Sequence, residues 1–374
     1  MTDTRQKLPK AISPLPIGST IGILGGGQLG RMLAMAAANL GMKTHIYCPE
    51  PGSPAFDVSP FHTVAPYDDM QALAQFARNV DVVTYEFENV PAETARRISG
   101  ITRLAPGEKP LRIAQDRLLE KQFLQSIDIP IAPHRPVTDI SDFQAALQAI
   151  GTPCVLKTTR LGYDGKGQRI IKNLKNAETA FGELAGVELV LEAFIPFEKE
   201  ISIVIARDEA GNCVTFEPSE NVHKNHILAT SSVPAAINKH TFDMAISNAT
   251  KIASALNYVG VLAVEYFVTG TGDTQQLLVN EIAPRVHNSG HWSQDVCPVD
   301  QFGQHIRAIC NWPLGDTKRL ADVVMRNLIG DEINTFTNNL QPNEHPHIYG
   351  KSEPRKGRKM GHINAIFPKS AQTP

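Results

Sequence analysis

Two carboxylates lie on otherwise apolar strand patterns. In V-L-A-V-E-Y-F-V (261–268), period-two alternation puts Glu265 on the face of Val261, Ala263 and Phe267, and in L-L-V-N-E (277–281) it puts Glu281 on the face of Leu277 and Val279. Burying an isolated carboxylate is costly. A hard cation removes that cost, and Mg²⁺ commonly takes one or two carboxylates together with substrate phosphates. Pairing with Arg or Lys at a strand end is the alternative for either residue. Lys157 closes a third pattern, P-C-V-L-K, on the face of Val155, and is followed by G-Y-D-G-K-G-Q (162–168), with three glycines in seven residues. A lysine at a strand end under a glycine flap suits a nucleotide clamp, while a hairpin turn is the plainer reading. No G-K-[ST] follows, so this is not a Walker A loop.

A second glycine loop, G-G-G-Q-L-G (25–30), stands between a strand and a helix pattern, with Glu50 downstream. The spacing fits a dinucleotide fingerprint, a cradle for another phosphorylated ligand, or a tight turn without ligand.

The elements that must position these residues come in two styles. T-I-G-I-L from Thr20, helical spacing of Leu29, Leu33, Ala36 and Leu40 closed by Gly41, and K-T-H-I-Y form a βαβ pattern. A helix over 69–79 and the strand 81–85 extend it to a doubly wound α/β domain. After A-P-G-E-K-P (105–110), a helix over Gln115–Ser126 leads into β-branched runs at 153–157, 169–172, 188–192, 201–206, 261–268 and 277–281, an α+β region on antiparallel strands. The last 60 residues, with the basic stretch 351–362, mark a small C-terminal unit; residues 1–19 read as a flexible arm.

Composition excludes several classes. Lys plus Arg number 36 and Asp plus Glu 38, a formal charge of -2, which argues against wholesale binding of nucleic acid or anionic membrane. With 42% hydrophobic and 20% charged residues, bulk disorder is excluded. No apolar run is long enough to span a bilayer, and Pro9, Pro14 and Pro16 interrupt any secretion-signal core. Cys48, Cys154, Cys213, Cys297 and Cys310 are scattered without a C-x-x-C, which fits a reducing cytoplasm. His345 and His347 read as surface.

Taken in order, Q-L-G-R-M-L, A-Q-D-R-L-L-E-K, G-Y-D-G-K-G-Q and N-E-I-A-P-R-V-H-N-S-G-H-W resemble the N5-carboxyaminoimidazole ribonucleotide synthetase family of the ATP-grasp superfamily, from about Thr20 to His362. The resemblance implies a Rossmann-like N-terminal domain (20–116), an ATP-grasp domain (117–310, lid about 150–195) and a small C-terminal domain (311–374). The implied activity is ATP- and bicarbonate-dependent carboxylation of 5-aminoimidazole ribonucleotide through carboxyphosphate, giving ADP and phosphate, in purine biosynthesis.

By the same resemblance Arg117 and Lys157 meet the ATP phosphates under a lid of Gly162, Tyr163, Asp164, Gly165, Lys166, Gly167 and Gln168. Glu192, Ala193, Phe194 and Ile195 form the hinge that reads adenine through backbone groups, Glu200 takes the nucleotide ribose, and His223 lies beside the nucleotide. Glu265 and Glu281, with Asn280 adjacent, match the ligands of Mg²⁺, with two ions expected. Arg285, His287 and Asn288 match residues holding bicarbonate and then carboxyphosphate, and His287 is the candidate for moving a proton between phosphate and amine. Candidates for the ribonucleotide and its 5′-phosphate are Gly27, Gln28, Leu29 and Gly30 with Lys351, Arg358 and Lys359. Glu86 matches a residue at the substrate ribose and is equally placed to cap a helix beginning near Pro91. A homodimer, and hand-off of the product to the mutase that follows, are the partners implied.

Sister ATP-grasp ligases of the glycinamide ribonucleotide synthetase, formate-dependent transformylase or biotin carboxylase type share the clamp, so the choice among them rests on H-N-S-G-H-W and the basic C-terminal stretch. A nicotinamide-dependent dehydrogenase built on Gly25–Gly30 and Glu50 would leave Lys157, Glu265 and Glu281 unused. A non-catalytic nucleotide-binding regulator would not need both carboxylates.

Overall fold

A computed structural model describes residues 13–160, 162 and 166–370. Tyr163, Asp164 and Gly165 of the expected lid, and residues 1–12 of the expected arm, lie outside the described residues. The N-terminal unit is a parallel sheet of β1 (Thr20–Leu24), β2 (Lys43–Cys48), β3 (Phe61–Val64) and β4 (Val82–Tyr85) in the order β3-β2-β1-β4. Helices α1 (Gln28–Asn39) and α2 (Met70–Arg78) make the crossovers, and α3 (Ala92–Ser99) and α4 (Glu108–Ala114) follow. The alternating strand and helix patterns dictate this, because each helix buries one apolar stripe against the sheet.

The central region begins with α5 (Arg117–Ser126), whose cap Asp116 accepts the N–H groups of Leu118 and Leu119 at 3.0 and 3.2 Å. A small antiparallel sheet, in the order β5-β8-β6-β7, contains β5 (His134–Val137), β6 (Cys154–Thr158), β7 (Gln168–Ile171) and β8 (Leu189–Ala193), covered by α6 (Ile140–Ile150) and α7 (Ala177–Leu184). Next come β9 (Lys199–Arg207), β10 (Cys213–Thr215), β11 (Ser219–Lys224), β12 (Ile227–Val233), α8 (Lys239–Ala255), β13 (Gly260–Thr269), β14 (Gln276–Ala283), α9 (Ser293–Val296) and α10 (Gln301–Ile309). The chain closes with β15 (Asp322–Ile329), β16 (Glu344–Ile348) and β17 (Lys359–Phe367).

These last strands do not stand apart. β15 pairs with β12, so the C-terminal unit extends one nine-stranded sheet, β14-β13-β9-β11-β12-β15-β17-β16, with β10 on β9. One apolar cluster joins Ile21 and Leu33 of the N-terminal unit to Ala263, Trp292, Phe302 and Tyr349, and a second packs α8 beneath β9, β13 and β14. The expected arm is anchored where it is described. The Leu15 N–H donates to the Cys310 carbonyl at 2.9 Å, its carbonyl accepts from Trp312 Nε1 at 2.8 Å, and its side chain packs on the core.

One irregularity decides the site. Glu265 pairs directly with Glu281 while Tyr266 pairs with Val279, so Asn280 is an extra residue bulged into β14. The bulge reverses the inside-outside alternation. Leu277 and Val279 point into the apolar cluster beneath the sheet, whereas Glu281 shares the face of Glu265. The face assigned to Glu281 by strict period two is therefore wrong, and the bulge is the reason.

Candidate active site

The small sheet and the face of the large sheet that carries Glu265 enclose a cleft of about 500 Å³. Lys157, Glu192, Glu265, Glu281, Arg285 and His287 all line it. Lys157 pairs with Gln168 across the β6–β7 hairpin, and Gly162, Lys166 and Gln168 also face the cleft, so the described ends of the glycine segment belong to a hairpin at the cleft wall. The φ of +68° at Gly167, where a Cβ would sit 2.6 Å from Thr158 Oγ1, explains that glycine.

The paired carboxylates are under electrostatic stress. Burial and then the Glu281 charge push Glu265 up to about 8. Arg117 lies 3.8 Å from Glu281, and His287 Nε2 lies 3.4 Å from Glu265, with burial holding that imidazole well below its usual pKa. Nearby, Glu120 of α5 accepts the Ile282 N–H at 2.7 Å just past the bulge, and burial with the Glu281 charge raises it to about 8. A half-buried carboxylate pair with one amide beside it fits a hard divalent cation. Among the described residues no set of three His, Cys, Asp or Glu side chains is arranged as a metal cage, so phosphate oxygens would have to complete the shell, as suits Mg²⁺.

Glu192 is the centre of a buried ion-paired cluster. Its carboxylate lies 3.0 Å from Lys157 Nζ and 3.2 Å from Lys121 Nζ, and both lysines are nearly inaccessible. Burial alone would raise it, but the two lysines hold it down to about 2. Ala193, Phe194 and Ile195 continue along the cleft wall, where Phe197 stacks on Phe267 with centroids 4.7 Å apart, a flat apolar surface suited to a purine. Glu200 pairs with His223 at 3.2 Å; burial opposes charge on the imidazole, and Glu200 outweighs it and raises the pKa. Arg117 reaches the Gly162 carbonyl at 3.4 Å from the first turn of α5.

Arg285 is already engaged. Its Nε and Nη2 form a bidentate fork with Glu88, the second contact at 3.1 Å, and its Nη1 donates to the Val286 carbonyl at 3.2 Å. Burial works against the Glu88 charge, and Arg285 reverses that and lowers the carboxyl. Asn288 lines the cleft with both amide atoms buried and without hydrogen-bond partners among the described residues.

The first glycine loop is filled by the chain itself. Glu86 accepts hydrogen bonds from the Gly27 N–H and, at 2.6 Å, from the Gly30 N–H, so it caps α1 and not the helix near Pro91. A Cβ on Gly25, where φ is +108°, would lie 2.3 Å from Glu86 Cγ. The glycines make room for a carboxylate. Leu29 turns into the core, so its side chain is not available to a ligand. Gly27, Gln28, Gly30, Glu86, Lys351 and Arg358 are not on the wall of this cleft, whereas Lys359 is. The two groups meet through charge, since Lys351 and Arg285 both act on Glu86. Lys351 donates to the Lys359 carbonyl at 2.8 Å, and Arg358 to the Glu353 carbonyl at 2.8 Å.

The sequence reading missed Glu88, Glu120, Lys121 and the Phe197–Phe267 stack. Glu88 stood two residues from Glu86 in T-Y-E-F-E-N-V, and the E-K pair was visible in A-Q-D-R-L-L-E-K. His347 is not simply surface, since it pairs with Asp295 at 2.8 Å and stacks on His362.

This site and fold define an ATP-grasp ligase. The ATP-grasp domain model matches residues 122–302, the ribonucleotide synthetase preATP-grasp domain 18–115, and the phosphoribosylaminoimidazole carboxylase C-terminal domain 323–373. The chain belongs to the N5-carboxyaminoimidazole ribonucleotide synthase family. It is 50% identical over 356 residues to the Brucella melitensis protein of that name, covering 94% of this chain and 98% of the relative. An ADP complex of an N5-carboxyaminoimidazole ribonucleotide synthetase superposes with a TM-score of 0.91 at 41% identity, over 95% of this chain and 94% of that one. The Aspergillus clavatus synthase in complex with ADP and 5-aminoimidazole ribonucleotide does so at 0.88 and 27% identity, over 94% and 95%.

Proposed function

We infer that this chain carboxylates the exocyclic amine of 5-aminoimidazole ribonucleotide at the expense of ATP, with bicarbonate as the carbon source. The observation that carries this reading is the bulge that turns Glu281 to face Glu265 in the cleft holding Lys157, Arg285 and His287. Adenine lies along Ala193–Ile195 and the Phe197–Phe267 stack, Glu200 takes the ribose, with His223 beside it, and Lys157, Arg117 and the glycine flap hold the phosphates. Glu265 and Glu281, with Asn280 beside them, would hold Mg²⁺, which when bound supplies charge neutralisation for the phosphates.

Bicarbonate is a poor electrophile, so the γ-phosphoryl group passes to one of its oxygens, forming carboxyphosphate and releasing ADP. Lys157 spreads the charge that develops. Arg285, His287 and Asn288 receive the anion, the two unpaired amide atoms of Asn288 being ready donors and acceptors. Loss of phosphate leaves CO₂ beside the amine, whose attack forms the new carbon-nitrogen bond as the amine gives up a proton to the released phosphate. Closure of the flap limits hydrolysis. Because Glu86 consumes the Gly27 and Gly30 N–H groups, the 5′-phosphate is left to Gln28 and to Lys351, Arg358 and Lys359.

ADP release from MgATP, measured with and without the ribonucleotide and bicarbonate, tests this. Strong stimulation by both is expected. Stimulation by glycine plus phosphoribosylamine, or by biotin, in their place would assign the site to a sister ligase.

A further inference from the structure

His287 sits at the end of a buried chain of hydroxyl groups. Its Nδ1 receives the backbone N–H of Ser289 at 3.3 Å and lies 2.8 Å from Ser289 Oγ. An amide N–H only donates, so Nδ1 carries a lone pair and the ring proton is on Nε2. Behind Ser289 the chain continues through Ser202, whose Oγ also lies 2.9 Å from Ser219 Oγ. Asn221 Nδ2 donates to Ser202 Oγ at 3.0 Å and Ser202 donates to Ser289 Oγ at 2.6 Å, which leaves the Ser289 proton for Nδ1. Asn221 is itself fixed, because its Oδ1 accepts from Ser231 at 2.7 Å. These groups come from β9, β11, β12 and the turn after β14, and Ser202, Asn221, Ser231 and Ser289 are each at most 5% exposed. A polar chain of this length in the core holds its shape only when every member is satisfied, and here every member is.

We propose that Ser289, backed by Ser202 and Asn221, is a positioning residue that locks His287 as the Nε2–H tautomer, with that proton directed into the cleft beside Glu265. The proposal rests on the carboxylation reading and sharpens it. His287 enters the cycle as a hydrogen-bond donor to the oxygens of bicarbonate or carboxyphosphate, and it does not enter as a base, because the only lone pair of the ring faces Ser289. The expectation of a proton-shuttling histidine is replaced by one of a fixed donor. The same geometry explains the buried serines Ser202, Ser219 and Ser231 on the neighbouring strands β9, β11 and β12 behind the cleft. Each is small enough to be fully buried and supplies one donor and one acceptor to the chain.

The tautomer is read directly on the wild-type chain by two-bond ¹⁵N–¹H correlation of its histidine rings, the His287 signal being the one missing in His287→Gln. An Nε2–H pattern is expected, and an Nδ1–H pattern overturns the proposal. Kinetics give the second readout. Ser289→Ala is expected to lower kcat about tenfold or more while KM for ATP stays within about twofold, and in the His287→Gln background the same substitution is expected to add less than about twofold. Additive losses would show that Ser289 acts through packing and not through the imidazole. Where Ser289→Ala does not fold, Ser202→Ala removes the next donor and the same non-additivity is expected. The tautomer measurement needs no substrate, so its failure is distinct from failure of the carboxylation reading, which would appear as ADP release indifferent to the ribonucleotide.

Discussion

Replacing Glu192 by Gln is expected to cost both stability and nucleotide affinity. The substitution removes the anion between Lys157, 3.0 Å away, and Lys121, 3.2 Å away, and leaves two ammonium groups in a nearly dry site. Holding a carboxyl at about 2, against 4.5 for a free side chain, corresponds at roughly 1.4 kcal/mol per tenfold change in acidity to about 3 kcal/mol at pH 7. An independent route gives a similar size, since removing one partner of a buried ion pair costs about 3–5 kcal/mol. The pKa is depressed, so the contribution is complete above about pH 4.5 and is lost only as pH falls toward 2. The gap between wild type and variant should therefore be flat from pH 5 to pH 8. For a unit the size of residues 122–302, at roughly 2–4 °C per kcal/mol, the loss appears as a fall in Tm of about 6–12 °C. Calorimetry at several pH values reads it, and KM for ATP is expected to rise because Lys157 loses the carboxylate that aims it. Adding Lys121→Met should recover part of the stability by removing one orphaned charge. A Tm within about 2 °C of wild type, or a gap that varies across the neutral range, would refute the idea that Glu192 is the electrostatic keystone of the lysine pair.

Glu281→Gln is expected to fold normally, by circular dichroism, and to lose roughly a hundredfold or more of Mg²⁺-dependent turnover; full activity would remove Glu281 from the metal role. Lys351 is lowered to about 8, first by burial and then by Arg358, so it loses its charge as pH rises through 8. KM for the ribonucleotide should then increase roughly tenfold between pH 7 and pH 9, and Lys351→Arg should flatten the rise; a flat wild-type profile would take Lys351 off the phosphate. Glu88→Gln leaves the Arg285 guanidinium without its bidentate partner, and a stability loss of about 2 kcal/mol in urea unfolding is expected. An unchanged midpoint would mean that Arg285 does not depend on Glu88.

The pattern of alternating helix and strand made the parallel N-terminal sheet and the antiparallel centre legible, because each depends on which face of a local segment is apolar. What stayed hidden depends on long-range pairing. The C-terminal strands join the large sheet through β12 and β15, a contact across about ninety residues that no local periodicity reveals. Glu281 was found for a reason only half right. Its apolar neighbours and its type drew notice, yet the face assigned to it was that of Leu277 and Val279, and only the extra residue Asn280 turns it toward Glu265. A one-residue insertion in a strand changes every side-chain direction after it, and one chain's pattern cannot show that the partner strand lacks the insertion.

The glycine loop teaches the complementary point. Its spacing, its place before a helix and the acid downstream all fit a phosphate cradle, and the physics behind that inference is sound, since the first turn of α1 does attract an anion. The anion is Glu86, delivered from the end of β4 to the N–H groups of Gly27 and Gly30. A carboxylate and a phosphate ask the same of the backbone, so the motif establishes an anion at that helix and leaves open whether it belongs to a ligand or to the chain. Here the arrangement places a buried carboxylate beside the charge of Lys351 and Arg285, at the junction between the basic C-terminal stretch and the nucleotide cleft. The loop thereby acts by holding an acid where two cations converge, while Glu88, two residues on, carries the N-terminal unit into the cleft through its fork with Arg285.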